Sequence, residues 1–231
     1  MKTLGLIGGT SWVSTAEYYR LLNEGVASRL GGLNNAKCII QTLNMADIAV
    51  IQERQDWNAA LELLGDAGAN LKRSGAAALV VCANTLHVIA DQLEKQVGLP
   101  LIHVADAAAR AVRDSGLDRV ALLGTKYTME LPFFRDRLAW HGVTSVAPSS
   151  EEREYIQKSI YTELTRNVFR KETRDRYLQI IDRMAKEEGI RGVILGCTEI
   201  PLLIKQSDTS TPVFDTTALH AAAAVDFALS S

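Results

Sequence analysis

The sequence predicts an α/β protein of two pseudo-symmetric, parallel-sheet α/β domains, with a ligand site at their interface. Three observations predict it. Short apolar runs alternate with long stretches of helical periodicity. Several of the runs end in glycine or hydroxyl residues. The landmarks of the first half also return in the second half, in the same order. Strands that alternate with helices pair in parallel, because each crossover lays a helix on a face of the sheet.

The apolar runs fall at 4–7, 38–43, 78–82, 101–104, 120–123 and 193–195, and each reads as a strand. Helical periodicity predicts helices over 14–30, 57–74, 105–115, 131–140, 151–165, 171–188 and finally 216–229. The repeat is carried by three pairs of segments. KTLGLIGG at 2–9 resembles RVALLGT at 119–125, LVVCANT at 79–85 resembles VILGCT at 193–198, and LPLIHVAD at 99–106 resembles TPVFD at 211–215. Gly8 to Asn84 is 76 positions and Gly124 to Cys197 is 73; Asn84 to Pro100 is 16 and Cys197 to Pro212 is 15. Three matches in register point to duplication. The expected division is 1–105 with a returning 212–231, and 106–211. Ligands of open parallel sheets bind beyond the carboxyl ends of the strands. Two such halves face to face gather Gly8, Gly9, Thr10, Asn84, Thr85, Gly124, Thr125, Cys197 and Thr198 around one cleft.

Composition narrows the function. The 25 basic and 27 acidic residues are mixed along the chain and leave a net charge of −2, with no basic stripe for nucleic acid. No apolar run approaches the roughly 18 residues of a membrane span. The opening MKTLGLIGGTSW reads as a first strand rather than a leader, so a cytoplasmic protein is expected. Cys38, Cys82 and Cys197 show no CxxC spacing, so neither a disulfide framework nor a metal site is expected, and any special cysteine acts as a thiol.

The residues with chemistry lie at the strand ends. Gly8-Gly9-Thr10-Ser11 joins a strand to a helix, where backbone N–H groups and the helix end suit an anion, although the P-loop lysine and the full GxGxxG spacing are absent. Cys197, between a strand end and a helix start in Gly196-Cys197-Thr198-Glu199, meets N–H dipoles that favour its thiolate. Asn84 and Thr85 offer donors for a carboxylate at the matching place in the first half. His87, in the helix that follows, is either a packing residue or a partner behind the site. Thr125 and Thr128 form a further cradle in GTKYTM at 124–129. Gln52 and Arg54 follow the second strand within reach of the cleft. Glu163, Arg166 and Lys171 read as solvated helix faces, and Cys38 as an inert strand residue.

These segments together resemble the aspartate/glutamate racemases of the pyridoxal-independent branch. The resemblance runs nearly end to end and rests on GLIGGTSW at 5–12, Asn84-Thr85-Leu86-His87, LGTKYTM at 123–129 and Gly196-Cys197-Thr198-Glu199-Ile200. It implies two pseudo-symmetric domains, no cofactor, a homodimer, and an active site at the domain interface with two opposed acid/base groups. One group removes the α-proton of a small acidic amino acid and the other returns a proton to the opposite face. That chemistry needs an acceptor and a donor on opposite sides of one carbon. Without a cofactor to spread the carbanion charge, oriented N–H and hydroxyl donors must carry it.

The family's first motif reads Cys-Asn-Thr, which sets Ala83 where the first catalytic cysteine belongs. Cys82 stands one residue early, and a one-residue step along a strand turns the side chain to the other face. Relatives with a non-cysteine here keep a directional activity. The resemblance therefore implies Cys197 as acid/base and Gly9, Thr10, Gln52, Asn84, Thr85, Thr125, Thr128, Thr198 and Glu199 as substrate contacts. The Ala83 face is left to water or another group, with Cys82 the nearest thiol. Two other activities fit the same residues: a lyase or isomerase using Cys197 as a nucleophile, and a catalytically reduced amino-acid-binding relative.

Overall fold

A computed structural model describes residues 1–230 as two compact units, 1–103 with 220–230 and 104–219. The first unit holds β1 (Leu4–Gly8), α1 (Trp12–Leu30), β2 (Cys38–Thr42), α2 (Met45–Arg54), α3 (Trp57–Arg73), β3 (Ala78–Val81) and α4 (Ala90–Val97), with a 3-10 turn over Thr85–Ile89. Its strands pair in parallel in the order β2-β1-β3, with Leu4 opposite both Cys38 and Ala78. The second unit holds α5 (Val104–Asp114), β4 (Arg119–Gly124), α6 (Lys126–Glu130), α7 (Pro132–Trp140), β5 (Thr144–Val146), α8 (Ser150–Thr162), α9 (Lys171–Glu187), β6 (Val193–Gly196), α10 (Ile200–Leu203) and β7 (Val213–Asp215). Its sheet is also parallel, in the order β5-β4-β6-β7. α11 (Thr216–Leu229) follows β7.

The duplication is visible in the ladders. In both sheets the first strand of the unit is flanked by its second and third. The segment after β3 makes a single parallel bridge, Leu79 to Leu101, where β7 lies beside β6. Pro100 O accepts from Leu79 N at 2.8 Å, and Pro212 O accepts from Val193 N at the same distance. The strand expected at 101–104 is thus reduced to that bridge. The chain turns into α5 at Val104, whose first turn buries Val104 and Ala105 completely, so the apolar pattern there belongs to a helix start.

Alternation along each strand sets up two cores per unit. On one face of the first sheet, Leu4, Leu6, Val80 and Cys82 pack with Tyr18, Leu22 and Val26 of α1 and with Ala221, Ala224 and Val225 of α11. On the other, Ile7, Leu79, Val81 and Ala83 pack with Ala60, Leu64 and Leu71 of α3 and Leu93 of α4. Gly5 permits that close approach, since a Cβ there would lie 2.8 Å from Ala76 Cβ and 3.1 Å from Leu71 Cβ. In the second unit, Leu123, Val193, Leu195 and Cys197 face Ile156, Ile160, Tyr177 and Ile181 of α8 and α9. Val120, Leu122 and Ile194 face Ala108 and Val112 of α5 and Phe134 and Leu138 of α7. Among the described residues no helix is long and apolar enough to cross a membrane.

Candidate active site

Each unit gathers its predicted residues at the carboxyl ends of its first and third strands. In the first unit the turn after β1 needs glycine at position 9. Its φ is +85°, and a Cβ would lie 2.0 Å from Leu43 O. The Gly9 N–H donates to Thr15 Oγ1 at 2.9 Å, so it serves the turn rather than standing ready for an anion. Thr10 Oγ1 donates to Cys82 O at 3.3 Å and Ser14 Oγ donates to the same carbonyl at 3.0 Å, which ties this turn to the end of β3.

At that end the one-residue step acts as pleating demands. Cys82 is fully buried in the α1/α11 core, and burial pushes its thiol pKa far above the ordinary range. Ala83 belongs to the opposite core. Asn84 and Thr85 follow, both buried, at the start of the 3-10 turn. Gln52 is buried in the last turn of α2, whereas Arg54 is exposed. A groove of about 660 Å³ beside Gly9 is lined chiefly by Trp12, Tyr19, Ile40, Leu43 and Met45, with no cysteine, histidine or carboxylate among its lining residues.

His87 braces the Ala83 turn. Its Nδ1 lies 2.8 Å from Ala83 O, so Nδ1 carries the proton, because a carbonyl only accepts. Its ring meets His103 at 4.8 Å and His220 at 5.4 Å between centroids, joining three of the chain's four histidines in one buried cluster. The same argument sets the tautomer of His220. Nε2–H donates to Ile102 O at 2.6 Å, leaving Nδ1 to accept from the Tyr18 hydroxyl at 2.8 Å. Burial, reinforced by His87, pushes the His220 pKa down to about 3.

In the second unit Gly124 pairs with Gly196 at the ends of β4 and β6, and a Cβ on Gly124 would lie 2.6 Å from Gly196 O. Thr125 caps α6, its Oγ1 accepting from Thr128 N at 3.3 Å, and the two hydroxyls lie 3.1 Å apart. Cys197 and Thr198 follow β6 directly, and Glu199 stands just before α10. All three are buried. The Cys197 thiol donates to Glu199 Oε2 at 3.1 Å and the Thr198 hydroxyl donates to the same oxygen at 2.8 Å. Glu199 Oε1 is buried and has no hydrogen-bond partner among the described residues.

The N–H dipoles expected to favour a thiolate at Cys197 are present but outweighed. Burial and then the Glu199 charge raise its pKa well above the ordinary thiol value, while the backbone amides of Glu199 and Thr198 pull it down by less. α10 has only four residues, and so short a helix has little dipole to offer. The sequence reading did not single out Tyr161 on α8, whose phenol pKa is raised by burial and further by the charges of Tyr127, Cys197 and Glu199. The available signal was spacing. Gln157, four residues earlier on α8, accepts the Lys126 N–H at 2.7 Å, and residues four apart share a helix face.

The charged residues expected on solvated faces are paired locally. Glu163 Oε2 accepts from Thr173 Oγ1 at 2.6 Å, Lys171 pairs with Asp175, and Arg166 closes the 3-10 turn after α8. All three cysteines are free thiols. No group of His, Cys, Asp and Glu among the described residues could hold a metal ion.

The sequence model of the Asp/Glu/hydantoin racemase family matches residues 7–224. A crystal structure from Yersinia pestis that carries the Asp/Glu racemase name is 46% identical, with 100% of both chains covered and a TM-score of 0.91. An aspartate racemase homologue from Pyrococcus horikoshii OT3 is 33% identical, again over 100% of both chains, with a TM-score of 0.87. At 14% identity, with 98% of this chain and 80% of the other covered, a Francisella tularensis glutamate racemase solved with D-glutamate shares the fold at a TM-score of 0.69.

Proposed function

Since the chain belongs to the Asp/Glu/hydantoin racemase family, we propose that it is a cofactor-independent racemase or epimerase of aspartate or glutamate in which Cys197 exchanges the α-proton. The observation that carries this reading is the placement of Cys197. It is a buried free thiol directly after β6, sharing Glu199 Oε2 with the Thr198 hydroxyl. A thiolate there removes the α-proton, and hydroxyl and amide donors carry the negative charge left on the substrate. Thr125, Thr128 and Thr198 supply those donors in this reading, and Gly9, Thr10, Gln52, Asn84 and Thr85 are proposed as further substrate contacts.

Ala83 has no proton to give, so the opposite face of the substrate is served by water or another solvent-linked group. The two directions of inversion then proceed at unequal rates. The reading includes a homodimer in the cytoplasm, in line with the family resemblance and with the frequency of symmetric dimers. Alanine at 83 favours one second reading, a relative that binds the amino acid without turning it over.

Incubation in D₂O with L- and D-aspartate and L- and D-glutamate tests the proposal. Deuterium enters the α-carbon of at least one of the four with the wild type and not with Cys197→Ser. Binding with no exchange in any of them transfers the weight to the second reading.

A further inference from the structure

We infer that Glu199 is the proton partner of Cys197: the carboxylate takes the thiol proton to create the attacking thiolate and holds it during the reaction. This deepens the proposed racemase reading and rests on it, because the family resemblance sets Glu199 only among the substrate contacts. The geometry is direct. Cys197 Sγ lies 3.1 Å from Glu199 Oε2, and Thr198 Oγ1 holds that oxygen at 2.8 Å. Both residues are buried, Glu199 with 2% of its surface exposed and Cys197 with 7%.

A carboxylate kept for structure, buried this deeply, has both oxygens satisfied by strong donors or is paired with a cation. Glu199 has neither. Oε1 has no hydrogen-bond partner, Oε2 is shared by a thiol and a hydroxyl, and no ion pair reaches it among the described residues. The groups that act on the pair from the packed helices are phenols. Tyr161 on α8 interacts with Cys197, Glu199 and Tyr127, and Tyr177 on α9 interacts with Cys197, Tyr155 and Glu163. Two negative charges 3 Å apart in such surroundings repel strongly, so a thiolate on Cys197 is favoured when the proton bridging sulfur and Oε2 moves to the carboxylate.

The step balances as follows. The Sγ–H bond breaks, its electron pair stays on sulfur, and the proton forms an O–H bond at Oε2. The thiolate next takes the α-proton and becomes a thiol again, leaving the substrate carbanion. Water gives a proton to the opposite face of the carbanion and becomes hydroxide. That hydroxide is neutralised through solvent by the proton on Oε2, which restores the starting thiol and carboxylate.

The test measures alkylation of Cys197 by iodoacetamide against pH, read by mass spectrometry of its peptide, together with α-deuterium exchange. Wild type, Glu199→Gln and Glu199→Asp are compared. The half-exposed Cys38 serves as internal standard and as a check that each variant is folded alike. In Glu199→Gln the alkylation midpoint falls by at least about one pH unit, because the like charge is gone. Exchange nevertheless falls by about 10²-fold or more, the usual worth of a proton-transfer group. Glu199→Asp regains part of the exchange. A residue that served structure alone moves both readouts together. An unchanged or higher midpoint in Glu199→Gln, or exchange within about tenfold of wild type, overturns the inference. If the wild type exchanges none of the four amino acids, the racemase reading fails on its own, and the alkylation midpoints still decide whether thiol and carboxylate share a proton.

Discussion

His220 should make the protein's stability depend on pH between 7.5 and 5. It is fully buried, Tyr18 donates to its Nδ1, its Nε2–H donates to Ile102 O, and the His87 ring lies 5.4 Å away. These surroundings hold the imidazole neutral, with a folded pKa of about 3 against an ordinary 6.5. Between those values the unfolded chain binds a proton that the folded protein refuses. Stability therefore rises with pH across the window and is lost as pH falls from the unfolded value toward the folded one. The full difference corresponds to about 5 kcal/mol, of which about 2 kcal/mol is already lost at pH 5. Urea unfolding at pH 7.5 and pH 5 measures it in wild type and in His220→Gln, whose amide can donate to Ile102 O and accept from Tyr18 without titrating. The wild type should lose about 2 kcal/mol more than the variant between the two pH values. Equal losses would refute the assignment of a neutral, proton-refusing His220.

Three further predictions concern the site. Ala83→Cys places a thiol at the end of β3 on the α3/α4 side of the sheet. It should raise exchange in the slower direction by about 10²-fold or more, read by deuterium incorporation from each enantiomer separately. Cys82→Ala should leave exchange per folded molecule unchanged, since its thiol lies in the α1/α11 core. It should lower stability by about 1 kcal/mol for the lost sulfur packing, measured by urea unfolding. Gly9→Ala forces a Cβ to 2.0 Å from Leu43 O at a φ of +85°. It should cost at least about 1–3 kcal/mol and lower exchange as well, whereas a stable, fully active variant would contradict the turn described after β1.

Much of the architecture was legible because parallel strands buried on both faces print themselves as short aliphatic runs. The runs at 4–7, 78–82 and 193–195 correspond to β1, β3 and β6. β5 escaped notice because three residues, Thr144, Ser145 and Val146, carry little pattern, and it pairs only with β4. The run at 101–104 misled because Val104 and Ala105 are apolar for the sake of α5, not of a sheet. The opposite facing of Cys82 and Ala83 followed from pleating alone. The state of the Cys197 thiol did not follow from its position, since burial and the charge two residues away outweigh the amides at a short helix start. The histidine cluster was beyond reach for another reason. His87, His103 and His220 meet only through the fold, and nothing local in the sequence marks them as neighbours.

Solvent deuterium incorporation at the α-carbon is the most direct measurement of the central claim. Wild type, Cys197→Ser and Cys82→Ala are each incubated in D₂O with both enantiomers of aspartate and glutamate. The account predicts exchange that requires Cys197, is indifferent to Cys82, and runs faster from one enantiomer than the other because Ala83 supplies no proton. Exchange that survives Cys197→Ser, or no exchange from any of the four, would contradict it.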